Sequence, residues 1–201
     1  MAWITPTELA GRHVTLLPLD PAHAGGLIEA ASDGMLWQLW FTSVPRPEEM
    51  EAAIATRLAW AAAGTMLPFT VTEPATGRIL GMTSCGHIDP SAPAAVRRLE
   101  IGWTWYAKRV QRSAVNTEAK QLLLAHAFET LGCVAVELRT HALNQASRRA
   151  IERLGAKLDG ILRQHQLARD GTLRDTCVYS IIATEWPAVR SHLAWQLERP
   201  R

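Results

Sequence analysis

The spacing of apolar positions divides the chain into segments of two periods. In the first half, residues 13–18 (His-Val-Thr-Leu-Leu-Pro) read as a first strand, and residues 21–31 have helical composition. The segment around Leu36-Trp37-Gln38-Leu39-Trp40 is unusually aromatic. A second helix is predicted over about 47–63, where Pro47 takes a first-turn position, two acids follow, and Ala52, Ile54, Leu58 and Ala61 recur at helical spacing. Strands at 68–72 and 79–87 flank a Pro74-Ala75-Thr76-Gly77 turn. After a Pro/Ala loop comes a third strand in this region, Leu99-Glu100-Ile101-Gly102-Trp103-Thr104-Trp105.

The second half is more regular. Val115, Ala119, Leu122, Leu123, His126 and Leu131 lie along one side of a helix predicted over 115–131, with Gly132 as its C-cap. Val134, Val136 and Leu138 alternate with Ala135, Glu137 and Arg139, the signature of a half-buried strand. Asn144 caps a helix over 145–154 that Gly155 closes. Strands near 158–167 and 173–182 are separated by an Asp170-Gly171 turn, and Thr184 is expected to cap a last helix with Pro187 in its first turn. Helices and strands mixed in this order, with a late hairpin, predict an α+β fold: a three-layer α/β arrangement with one central mixed sheet. With no internal repeat and no low-complexity linker, residues 1–201 read as a single domain.

Composition narrows the function. The 201 residues suffice to bury roughly 70% of the unfolded surface without disulfides or metals. A net charge of +2 implies no nucleic-acid partner. Cys85, Cys133 and Cys177 show no CxxC and no Cys/His pair at zinc spacing, so no metal is expected, and a reduced, cytoplasmic setting fits. Cys133 reads as a small buried hydrophobe. No apolar run approaches the ~18–20 residues of a membrane span, and no signal pattern opens the chain.

The candidate chemistry lies where the strand around Glu100 feeds the helix after Gln111. A helix N-terminus offers unpaired N–H groups backed by the positive end of the helix dipole, which is a phosphate site. Lys108, Arg109 and Arg112 add charge there. Strand alternation sets Glu100 on the face opposite Leu99, Ile101 and Trp103. From the residues alone it reads as a solvated strand residue paired with Arg97 or Arg98. Neither Gly-x-Gly-x-x-Gly nor Gly-Lys-Ser/Thr occurs, which removes the common nucleotide-binding alternatives.

From Glu100 to Gly155 the chain resembles the GNAT superfamily of N-acetyltransferases, and within it the RimJ/RimL-type branch that acetylates N-terminal amines of ribosomal proteins. The resemblance rests on the Glu-Ile-Gly-aromatic strand, the loop beginning at Gln111, and the Asn-Thr-Glu-Ala-Lys helix opening. Asn144-x-x-Ser147 before Glu152-Arg153-Leu154-Gly155, with a final hairpin, completes it. Two departures stand out. Ala114 and Asn116 occupy the small-residue positions of the Gln/Arg-x-x-Gly-x-Gly/Ala loop, and Ile151 stands where many members carry a tyrosine general acid.

The resemblance implies a splayed, mostly antiparallel sheet and acetyl-CoA as co-substrate, with an amine acceptor that is a protein N-terminus or a small molecule. Trp103, Thr104 and Trp105 would lie along the pantetheine arm. Gln111, Arg112, Ser113, Ala114, Val115, Asn116 and Thr117 would hold the pyrophosphate, and Asn144 the pantetheine end. Glu100 would be the base and Ser147 the substitute acid, although Ser147 is also an ordinary first-turn residue of a capped helix. Trp37 and Trp40 are either an aromatic wall for the acceptor or core packing. His87, an alternative base, and Tyr179 are further residues expected to reach the acceptor. A homodimer is expected by likeness alone. The rival reading is a catalytically weak CoA-binding or regulatory module of the same fold.

Overall fold

Two separate clusters of buried apolar side chains organise the molecule, and a single sheet carries residues into both. The computed structural model describes residues 3–199. Its strands are β1 (Leu9–Ala10), β2 (Thr15–Pro18), β3 (Leu67–Thr72), β4 (Ile79–Gly86), β5 (Arg98–Tyr106), β6 (Ala135–His141), β7 (Lys157–Leu167) and β8 (Leu173–Ile182). They form one sheet in the order β1-β2-β3-β4-β5-β6-β8-β7, antiparallel throughout except for β5–β6. Helices α1 (Ala24–Ser32) and α2 (Met50–Ala62) bury Leu27, Ala30, Met50 and Ile54 in one cluster. Helices α3 (Ala114–Ala125) and α5 (Trp186–Glu198) bury Val115, Ala119, Leu123, Val189 and Leu193 in the other. Helix α4 (Gln145–Arg153) lies between β6 and β7 in the chain. The α+β expectation and the splayed, mostly antiparallel sheet are both realised.

Tertiary contacts adjust several predicted boundaries. The strand expected over 13–18 is β2, preceded by the short β1, and it begins at Thr15 because the amides of Arg12, His13 and Val14 are taken by the Glu118 carboxylate of α3, at 3.0, 2.5 and 2.9 Å. A Cβ on Gly11 would lie 2.6 Å from that carboxylate, so the approach needs glycine. The helix predicted to 131 leaves α geometry after Ala125 and continues as a π-turn, His126–Thr130, before Gly132 takes the left-handed conformation of a C-cap (φ 66°). Thr184 does not cap α5. Glu185 holds the N-cap position, its carboxylate accepting from Ile182 N (3.2 Å) and pairing with Lys157, while Pro187 sits in the first turn as expected.

Two features of β5 create the site. Its parallel pairing with β6 covers only Arg98↔Ala135, Leu99↔Val136 and Glu100↔Glu137, after which the strands part. A β-bulge also interrupts its pairing with β4: Met82 faces Trp105 and Ser84 faces Gly102, so Trp103 and Thr104 together oppose one residue. Trp103 takes φ 52° there. The extra residue reverses the alternation. Leu99 and Ile101 enter the α3–α5 cluster, whereas Trp105 enters the α1–α2 cluster. Trp103 therefore does not pack with Leu99 and Ile101 as strand alternation predicts.

Among the described residues, all three cysteines are free and buried, no helix is long and apolar enough to cross a membrane, and no group of three or more His, Cys, Asp or Glu side chains is placed to hold a metal. Burial pushes the Cys133 thiol up to about 11, in keeping with a packed hydrophobe.

Candidate functional site

The parting of β5 from β6 opens a cleft of about 1180 Å³ that runs from the N-terminus of α3 to the loop between α1 and α2. This exceeds the usual size of a small-molecule pocket and suits an elongated ligand together with a second one.

One half of the cleft is built mainly from a continuous stretch of backbone. Gln111, Arg112, Ser113 and Asn116 line it at the start of α3. The Gln111 side chain donates to Tyr106 O (2.9 Å), tying the loop to the end of β5. Ser113 is the N-cap: its Oγ accepts from Val115 N (3.3 Å) and donates to Val110 O (2.6 Å). Helical geometry starts at Ala114, so the amides of Ala114 and Asn116 have no intrahelical partner. It also means that neither residue adopts positive φ. The one left-handed residue of the loop is Arg112 (φ 61°), so alanine and asparagine replace glycine here without strain. Val115 and Thr117 contribute backbone only, because the first side chain packs in the core and the second is buried against Arg153, which donates to it at 3.1 Å.

The basic flank differs from expectation. Arg109 turns away to Asp33 (3.0 Å) and Ile79 O (3.2 Å), and the Lys108 stem packs on Gly34. Their place on the cleft wall is taken by Arg149 and Arg153 of α4 and by Arg199. Asn144 caps α4, its Oδ1 accepting from Ser147 N (3.1 Å), and both residues line the cleft.

Glu100 lies at the centre, where the strands part. It is 7% exposed, and burial pushes its carboxyl up to about 7, with Glu137 adding to the rise and Arg139, Arg174 and Lys120 opposing it. Its Oε2 lies 3.4 Å from Arg139 Nε and 3.5 Å from His87 Nε2, yet accepts no hydrogen bond. Its Oε1 folds back over Gly102, where a Cβ would approach to 2.6 Å. His87 (φ 52°) stacks on the Trp103 ring at 5.5 Å, and burial together with Arg139 holds it below the ordinary histidine value. At neutral pH its contact with Glu100 is thus that of a neutral ring and not of an ion pair.

Lys120 is a site residue that sequence reasoning misses. It is 5% exposed, donates to Thr104 Oγ1 (2.6 Å) and Thr83 Oγ1 (3.4 Å), and is brought down to about 7 by burial. Its field reaches Glu100, and Thr83 and Thr104 also bond each other at 2.7 Å. A lysine in a helix ordinarily reads as solvent-facing. The one available signal is its place one turn after Asn116, on the same side of the helix.

The other half of the cleft is a collection of side chains from distant segments. Trp40, 45% exposed, lines it and meets His141 edge-on at 5.1 Å. Arg169, at the tip of the β7–β8 hairpin, donates to Val44 O (3.0 Å) and pairs with Glu49, strapping the hairpin to the α1–α2 loop. Two expected residues are absent from this wall. Trp37 packs against the α1–α2 core. Tyr179 is fully buried in β8, its hydroxyl accepting from Arg148 (3.0 Å) and donating to Glu152 (2.8 Å), a brace between α4 and the sheet. Trp105 borders the cleft but is largely packed in the α1–α2 core.

Comparison with known proteins agrees with this geometry. The acetyltransferase (GNAT) domain family matches residues 13–157. YdaF of Bacillus subtilis, a candidate ribosomal N-acetyltransferase, is 32% identical over 110 residues, 55% of this chain, and the match spans 57% of YdaF's own length. The crystal structure of a GCN5-related N-acetyltransferase from Brucella melitensis superposes with a TM-score of 0.81 at 30% identity, over 96% of this chain and 86% of that one. Mycobacterium smegmatis RimJ, solved with CoA-disulfide, shares the fold (TM-score 0.79) at 21% identity, over 95% of each chain.

Proposed function

The chain belongs to the GNAT acetyltransferase family, and on that premise we propose that residues 1–201 act as one unit that transfers acetyl directly from acetyl-CoA to a primary amine. A protein or peptide N-terminus, as in the RimJ/RimL branch, is the favoured acceptor, with a small-molecule amine next. The observation that carries this reading is Glu100: a buried carboxyl, pushed up to about 7, at the point where β5 and β6 part.

A protonated amine has no lone pair, so attack on the thioester carbonyl requires a base. A base whose affinity for the proton lies near the working pH serves best. Glu100 accepts that proton as the amine attacks, and the thiolate leaves. The amides of Ala114 and Asn116, with the Arg112 side chain and the basic side chains of α4, suit a pyrophosphate at the N-terminus of α3. Trp103 to Trp105, on the bulged end of β5, offer backbone to the pantetheine arm, and Asn144 sits where its far end would lie. Ser147, beside it, is the candidate that returns a proton to the thiolate.

The experiment is thermal stabilisation by acetyl-CoA followed by an amine screen that reads free thiol. Stabilisation and thiol release with at least one amine support an N-acetyltransferase. Stabilisation without turnover across peptides, polyamines and small amines would favour the CoA-binding module, a reading to which Ile151, in place of the usual tyrosine, lends some weight.

A further inference from the structure

The charges lining the cleft are lopsided. Eight arginines and Lys120 face it, against one carboxylate, Glu100. Acetyl-CoA accounts for part of this, because its phosphates call for Arg112, Arg149, Arg153 and Arg199 around the start of α3. The other four arginines lie towards the acceptor. Arg139 is neutralised by Glu137 and Glu100, and Arg169 by Glu49. Arg57 of α2 and Arg174 of β8 form no ion pair among the described residues.

Arg57 is the more telling of the two. It is 7% exposed, its Nη1 donates to Ala53 O (2.9 Å), and its Nε is buried without a partner. One carbonyl therefore serves a fork of five N–H donors. Burial holds the group below the ordinary arginine value, and no carboxylate acts on it in return. An uncompensated buried cation is costly, and the cost is offset when an anion in the cleft meets the guanidinium where it lines the wall. Arg174 likewise has a buried Nε without a partner, and it stands near enough to Glu100 to feel its charge.

We infer that the amine acceptor carries an anionic group, a carboxylate a few bonds from the reactive nitrogen, which Arg57 and Arg174 take while the amine faces Glu100. This rests on the acetyl-transfer reading above. An acidic peptide N-terminus and a small amino acid share that chemistry, and the test separates them.

With acetyl-CoA saturating, thiol release is followed for Ala-Glu-amide against Ala-Gln-amide, for 4-aminobutanoate against 4-aminobutanamide, and for spermidine. The acid member of at least one pair is expected to show a kcat/KM at least about tenfold higher, the worth of a charge-assisted hydrogen bond. The pair that discriminates identifies the source. Arg57→Gln should reduce that preference to about twofold or less with acetyl-CoA affinity unchanged, and Arg57→Lys should keep part of it. Should Arg57→Gln fail to fold, Arg174→Gln and the wild-type comparison still decide. Equal use of both members, a preference for the amide, or turnover with spermidine alone overturns the inference and leaves acetyl transfer intact. Binding of acetyl-CoA with no transfer to any of the five amines overturns the acetyl-transfer reading and this inference with it.

Discussion

The two halves of the cleft are made of different material. The half around the start of α3 is mostly main chain from one run of residues, 102–117, with a cap, a loop and a helix end in fixed succession. The half towards the acceptor is side chain, drawn from the α1–α2 loop, α2, β6, β7 and β8. Main-chain donors survive changes of residue type, which is why Ala114 and Asn116 stand where glycine is usual without disturbing the helix start. A wall of side chains changes whenever one of its residues does. Such a division lets a fold keep one ligand while exchanging the other.

Substitutions can break that contrast at different points. Glu100, at the junction, should matter most: Glu100→Gln is expected to lower kcat by about 10²–10⁴-fold while acetyl-CoA binds as before. The limb of the kcat–pH profile that rises near 7 should vanish with it, and an unchanged profile would remove Glu100 as the base.

Lys120 comes next. Lys120→Met should cut turnover about tenfold, through loss of a cation near Glu100, yet raise stability at pH 7 by ~1–3 kcal/mol, because an apolar chain replaces a buried charge. Thr83 and Thr104 keep each other as partners, so little is orphaned. The sign follows from the depressed lysine. In the wild type, the unfolded chain holds the proton up to about 10.5 and the folded one only to about 7, so this group makes stability rise between those values. The raised Glu100 acts oppositely, lowering stability as pH climbs from about 4.5 to about 7. Urea unfolding across pH 5–10 tests both, and the alkaline rise should be missing in Lys120→Met.

On the main-chain side, Asn116→Asp places a negative charge beside the expected pyrophosphate. It should weaken acetyl-CoA binding by about three- to tenfold with kcat little changed, which calorimetric titration would measure. The smallest effect is expected at Tyr179, outside both halves. Tyr179→Phe removes the brace between Arg148 and Glu152 and should cost about 1 kcal/mol of stability without moving either KM.

The same contrast explains what could be read from residues alone. The strand, loop and helix start around Gln111, the Asn144 cap and the final hairpin all announce themselves through local spacing. Glu100 is legible by alternation because it precedes the bulge. Trp103 is not, since a bulge inserts one residue with no compositional mark. Arg109 and Arg112 look equivalent in sequence, but Asp33, far away in the chain, claims one of them. Tyr179 and Trp40 are both plausible aromatic walls until the sheet order buries the first and leaves the second exposed. Arg57 and Lys120 are charged positions on helices, where burial is a tertiary fact.

The bulge also sets what β5 tolerates in length as opposed to composition. Residues before it and after it run in opposite phase, so one strand feeds the α3–α5 core with Leu99 and Ile101 and the α1–α2 core with Trp105. Deleting either Trp103 or Thr104 would remove the bulge and leave a regular strand in which Gly102 still faces Ser84 and Trp105 still faces Met82, so Trp105 keeps its place in its core. The bulge is therefore the one place where β5 can lose a residue with both flanking registers kept, whereas a deletion on either side of it would put part of the strand on the wrong face.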